Sequence, residues 1–214
     1  GIAVSMMFGM GAVYGRSVGM DNTEVGYFMT APVLGALLLQ YPVGRLSDRF
    51  DRRLVILVVT IMGGIAAGCA TMFGKQEFAL LILCMLIYGG ALFPSYSLCI
   101  AHANDFLAPS QMVAAASGLV MVNGVGAVIG SPLAALSIEY LGIGSFFVMV
   151  ASVQVAMAFV VLFRMSRRSA VPNEAQGPFV AIPESGSAVV ATLNPEAQWV
   201  PCLLYTSPSP RDED

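Results

Sequence analysis

The sequence predicts an all-α, polytopic membrane protein of six transmembrane helices, and three observations carry that prediction. Hydrophobic residues make up 57% of the 214-residue chain and charged residues only 11%, with a mean hydropathy of +0.78. The apolar residues gather into repeated blocks of about twenty, the helical length that crosses a ~30 Å hydrocarbon core. The charges fall between the blocks. Runs of this kind read as helices, because a span in lipid must satisfy its own backbone hydrogen bonds and the connections are too short for a barrel pattern.

The first span is Gly1 to Val18. It starts within an apolar run and without Met, so the sequence reads as a fragment whose beginning is missing. Asp21-Asn22-Thr23-Glu24 has the pattern of a capping box ahead of the second span, Val25 to Gly44. Next comes PVGRLSDRFDRR at 42–53, with six charges in twelve residues. Each Arg or Asp would cost roughly 2.5–3.5 kcal/mol at a bilayer centre. Arg45, Asp48, Arg49, Asp51, Arg52 and Arg53 are therefore expected in water or the headgroup layer, on a short loop.

The third span, Leu54 to Phe73, carries Gly64-x-x-x-Gly68, and the fourth runs from Phe78 to Ile100. Pro109-Ser110 precedes the fifth, Val113 to Ile138, which carries Gly126-x-x-x-Gly130, Asn123 and Pro132. Small residues at that spacing let helices approach closely, and the proline marks span five as a bent or gating helix. The sixth span is Ile143 to Phe163.

Beyond residue 165 the composition turns to Ser, Pro, Glu and Gly without a periodic apolar face, as expected of a flexible tail over 166–201. Residues 202–212, CLLYTSPSPRD, resemble a translated transposon-end sequencing adapter, so 202–214 is expected to be a non-native tail in which Cys202 and Arg211 carry no biology. The chain thus divides into a six-helix bundle over 1–165 and these two tails.

Arg45, Arg49, Arg52, Arg53, Arg164, Arg167 and Arg168 lie on one side of the spans, and only Arg16 and Lys75 on the other. Seven against two places both ends in the cytoplasm.

Composition excludes several function classes. The single histidine, His102, sits at a span end, so neither a catalytic set nor a metal or haem site can be assembled around it, and no enzyme activity, metal or cofactor is expected. Cys69, Cys84 and Cys99 lie inside apolar spans as small hydrophobes. The net charge of -3 comes mostly from acidic residues in the last forty and implies no nucleic-acid partner. No charged ring or filter-like repeat suggests a channel.

Gly44-Arg45-Leu46-Ser47-Asp48-Arg49-Phe50-Asp51-Arg52-Arg53 resembles the G-x-L-x-D-R-x-G-R-R signature that major facilitator superfamily transporters carry between helices two and three, with a related copy between helices eight and nine. Asp51 stands where the signature usually has Gly. Tyr96 to Asp105 and Asn123 to Pro132 resemble the C-terminal half of the YcaD-like branch of bacterial transporters. The resemblance covers roughly 1–165, and weakly Leu193 to Ala197.

The resemblance implies helices seven to twelve of a twelve-helix fold, one half built of two inverted three-helix repeats, with the N-terminal half as missing partner. It further implies a secondary transporter of the bacterial inner membrane that moves a small molecule by alternating access; the alternative is a transporter-like sensor or partner subunit without flux. Gly44, Arg45, Asp48, Arg49, Arg52 and Arg53 would form a conformational latch, and Gly126, Gly130 and Pro132 a gating helix.

By the same analogy spans one, two, four and five line the cavity while three and six face lipid. That promotes Asn123, Tyr96, Ser97, Tyr14, Gln40 and Ser5 as substrate contacts. Each has a plainer reading: the tyrosines bridge helix to headgroup, the serines bond their own backbone, and Asn123 joins two helices. No ionisable group lies at mid-span, so a coupling proton, if one is used, would be carried by the absent half. His102 and Asp105 read either as a gate pair or as a solvated helix end.

Overall fold

A computed structural model describes residues 1–73, 77–107 and 111–167. Lys75, Pro109, Ser110, Arg168 and the two tails from 168 onward lie outside the described residues. The elements among the described residues are six α-helices: α1 (Ile2–Ser17), α2 (Asn22–Arg49), α3 (Arg52–Ala70), α4 (Phe78–Asn104), α5 (Met112–Leu141) and α6 (Ser145–Arg167).

The start of α2 follows from its cap. The Asp21 carboxylate accepts from the Thr23 and Glu24 N–H groups at 2.8 Å each, and Glu24 accepts in return from the Asp21 N–H at 2.8 Å. The far end of α2 differs from expectation. The charged stretch is not a loop: Gly44 to Arg49 form the last turns of α2, Arg52 and Arg53 open α3, and only Phe50 and Asp51 join them. Two effects favour this: Arg is a good helix former that suits the negative end of a helix, and the Asp51 carboxylate caps α3 by accepting the Arg53 N–H at 3.0 Å. The residue that departs from the family signature is thus a helix cap.

Four of the helices, α3, α4, α5 from Ala114, and α6, are long and apolar enough to cross a membrane. At 16 residues α1 spans only about 24 Å, and α2, with Pro32, Pro42 and Gln40 in its length, is the least apolar of the six. Helix α5 runs unbroken through Pro132, as α4 does through Pro94.

The main pairings are α2 with α4, α1 with α5, and α3 with both α4 and α6. Two depend on missing side chains. A methyl on Gly35 would strike the Leu86 carbonyl, and one on Gly89 the Pro32 carbonyl, so the backbones of α2 and α4 touch there. Across α1 and α5, a methyl on Gly130 would strike the Ser5 hydroxyl, and one on Gly126 would lie 3.1 Å from the Ile2 nitrogen. Span three behaves otherwise, because a small-residue spacing permits close approach without choosing a partner. Gly68 has nothing within 4 Å and Gly64 meets only the Gln154 Cβ at 3.4 Å, while their neighbour Gly63 makes room for the Gln154 amide.

The larger core lies toward the end where α1 finishes and α6 begins. There Tyr14 stacks on Phe146 at 5.1 Å and meets Phe147 edge-on at 4.8 Å, with Phe28 beside them. A smaller cluster of Val55, Ile56, Val59, Ala91 and Leu98 holds α3 to α4 near the arginine-rich end.

Candidate functional site

At the arginine-rich end one side chain joins three helices. Arg52, in the first turn of α3, is 1% exposed. Its Nη1 donates to both carboxylate oxygens of Asp105, just past α4, at 2.7 and 2.8 Å. Its Nε donates to Ser47 Oγ on α2 at 3.1 Å, and its Nη2 lies 3.9 Å from Asp48. The Asp105 side chain is itself only 2% exposed. Arg52 is therefore shielded from water by protein rather than exposed as expected, and Asp105 is not a solvated helix end: a charge can be buried when a paired, hydrogen-bonded partner is buried with it.

The rest of the motif splits by depth. Gly44 and Ser47 are buried, while Arg45, Asp48 and Arg49 are exposed. Arg45 lies over the Tyr41 ring, 5.5 Å from its centroid. Arg53 pairs with Asp51 at 3.1 Å. Burial by itself would raise the Asp51 carboxyl, but the Arg53 side chain, backbone N–H and charge, helped by His102, outweigh it and hold the group below its ordinary value. His102 Nδ1 stands 3.9 Å from the Asp105 carboxylate, and its ring packs edge-on against Phe106.

A cavity of about 390 Å³ opens deeper in the bundle. Tyr96 and Asn123 line it, with Ser95, Thr60 and Gln154 supplying the other polar groups. Its walls come from α1, α3, α4, α5 and α6. The division expected by analogy does not hold here: α3 and α6 contribute and α2 does not. The other four residues singled out as substrate contacts lie elsewhere. Ser97 is fully buried, Tyr14 belongs to the aromatic core, and Gln40 sits half-buried on α2. Ser5 packs against Gly130 and donates to the Ile2 carbonyl at 3.1 Å.

Sequence reasoning missed Asp105 as the partner of Arg52, and Ser47. The available signal was that span four ends in an acid on the same side as the arginines. It also missed Thr60 and Gln154; the latter, 6% exposed and the only amide in α6, is the kind of uncharged polar group whose presence in an apolar run needs a reason. No group of three or more His, Cys, Asp or Glu that could hold a metal occurs among the described residues.

Apolar helices thus pack through bare glycine backbone and are tied at one end by a buried ion pair that joins Arg52, three residues past the G-R-L-S-D-R stretch, to Asp105. Residues 1–207 match the profile of the Major Facilitator Superfamily, and the chain belongs to that family. The chain is similar to the uncharacterized MFS-type transporter YcaD of Salmonella paratyphi B, Salmonella newport and Salmonella heidelberg. In each case identity is 31% over 177 residues, covering 81% of this chain and 43% of the relative. The chain thus spans less than half the length of these relatives.

Proposed function

We propose that the chain is one six-helix half of a secondary transporter that moves a small molecule across a bacterial inner membrane by alternating access, with both ends of the bundle cytoplasmic. The helix pairings support the half-transporter reading. Exchanging α1 with α4, α2 with α5 and α3 with α6 turns the α2–α4 pair into α5–α1 and leaves α3–α6 unchanged, as two inverted three-helix repeats would, while the α3–α4 pair has only a weak counterpart in α6–α1. On this reading all six helices are spans, with α1 and α2 completed by packing against their partners.

The observation that carries the mechanism is Arg52 held by Asp105, Ser47 and Asp48 at the join of α2, α3 and α4. Directional bonds of this kind hold in one arrangement of the helices and not in another, so they contribute free energy to one state of an alternating cycle. Gly44, Arg45, Asp48, Arg49, Arg52 and Arg53 act together as the latch: Gly44 is buried in the last turns of α2, Arg52 fastens, and the exposed charges face water, headgroups or the other half.

Substrate meets the polar wall formed by Tyr96, Asn123 and Gln154. With these neutral groups in an apolar cavity, the reading favours an uncharged or weakly polar compound. Ser5, Gly126 and Gly130 form the α1–α5 seam along which the wall moves, and Pro132, exposed two residues further on, belongs to the same gating helix. Ser97, Tyr14 and Gln40 support the packing behind it.

The test is counterflow of labelled compounds by the full-length protein in proteoliposomes. Asp48→Ala is expected to lower the transport rate more than substrate affinity; equal losses in both would remove the latch. Ligand binding without flux would convert the reading to a sensor or partner subunit.

A further inference from the structure

A second hollow, of about 400 Å³, runs over α3 between α4 and α6 at the arginine-rich end. Both flanking helices pack on α3, which forms its floor. Two arginines and a histidine from three helix ends stand at its mouth: Arg53 from the first turn of α3, Arg164 near the end of α6 and His102 from the last turn of α4. Its depth is apolar, with Leu119, Met157, Val160 and Val161 along the walls.

Charge at the mouth is unbalanced. Asp51 anchors Arg53 at 3.1 Å, while Arg164 is exposed and makes no ion pair among the described residues. Among the described residues at this end, Arg45, Arg49, Arg52, Arg53, Arg164 and Arg167 stand against Asp48, Asp51 and Asp105. Met157 lies seven residues from Arg164, roughly 10 Å along the helix, which is about a third of the ~30 Å hydrocarbon core. The hollow is thus basic at its mouth and apolar below it.

We propose that this groove seats an anionic phospholipid of the leaflet at the arginine-rich end, its phosphate between Arg53 and Arg164 and one acyl chain along Leu119, Met157 and Val161. A soluble anion would leave the apolar walls unused, and a lipid without net charge would leave the mouth uncompensated. Cys99, Leu119 and Met157 also line the deeper cavity, so the acyl chain ends against the wall of that cavity. The proposal depends on neither the latch nor the identity of the substrate.

The experiment places the full-length protein in phosphatidylcholine nanodiscs containing a minor share of phosphatidylglycerol and reads the retained lipid by native mass spectrometry. Wild type is expected to retain phosphatidylglycerol preferentially. Arg164→Gln, a change at an exposed position, is expected to lower that retention about fivefold. Val161→Trp, which fills the groove and leaves every charge in place, is expected to lower it as well, with the melting temperature reporting that the bundle is intact. Arg16→Gln, at the opposite end, is expected to change nothing. Wild-type retention in both groove variants overturns the proposal. Loss with Arg164→Gln alone overturns the acyl-chain seat, leaving surface attraction only, and displacement of the lipid from wild type by inorganic phosphate overturns the lipid as occupant. Should Val161→Trp fail to fold, the Arg164→Gln and phosphate results decide.

Discussion

The two ends of this bundle are held by different forces. At one end Tyr14, Phe28, Phe146 and Phe147 fill space ring against ring, at centroid distances of 4.8 to 6.2 Å. At the other, three helices meet on one guanidinium with a carboxylate at 2.7 Å and a hydroxyl at 3.1 Å. Ring packing tolerates small displacements, since many weak contacts exchange for others. A buried ion pair does not, because a partner lost there leaves an uncompensated charge. One end is suited to persist through a rearrangement and the other to switch.

The strongest way to break that contrast is Asp105→Ala, which strands Arg52. It is expected to destabilise the protein by about 3–5 kcal/mol, the range for a buried pair with one partner removed, read from thermal unfolding in detergent. The contrast sharpens in the double variant Asp105→Ala/Arg52→Met. Removing both charges is expected to recover most of that loss while abolishing switching, and a simple sum of the single effects in a double-mutant cycle would show that the two groups are not coupled.

At the aromatic end, Phe147→Leu keeps an apolar side chain and forfeits the edge-to-face geometry, for an expected cost of about 1 kcal/mol with the transport rate unchanged. A larger effect on rate than on melting temperature would show that this end moves too.

An effect of no more than that size, about 1 kcal/mol, is expected from Asp51→Ala, the loss of one helix cap. Because the folded Asp51 pKa lies below its ordinary 3.8, the carboxylate's contribution is fully present above that value and disappears as pH falls through the lower folded one. The variant should therefore show a flatter acid limb than wild type, and an identical limb would assign the acid response to another group.

Helix number and order were legible from the apolar blocks, and the α2 start from Asp21 and Glu24. The α2–α3 boundary was not, because dense charge was read as loop when Asp51 uses it to end one helix and begin the next. Arg52 could not be told from the other five charges as buried, since its partner lies 53 residues away, just past α4. Among the polar residues chosen for the cavity, Tyr96 and Asn123 line it while Ser97, Tyr14, Gln40 and Ser5 do not. The physical reason is general to lipid-embedded helices: α4 and α5 are apolar on nearly every side, so periodicity does not tell which face a lone polar group presents.

The join between α2 and α3 is two residues long, and α2 extends 28 residues from it, about 42 Å. So short a pivot makes the helix a lever arm. A tilt of about 5° at Phe50 and Asp51 would swing its distant tip through roughly 4 Å, enough to turn the breaking of one contact into the opening of a gap the width of a water molecule.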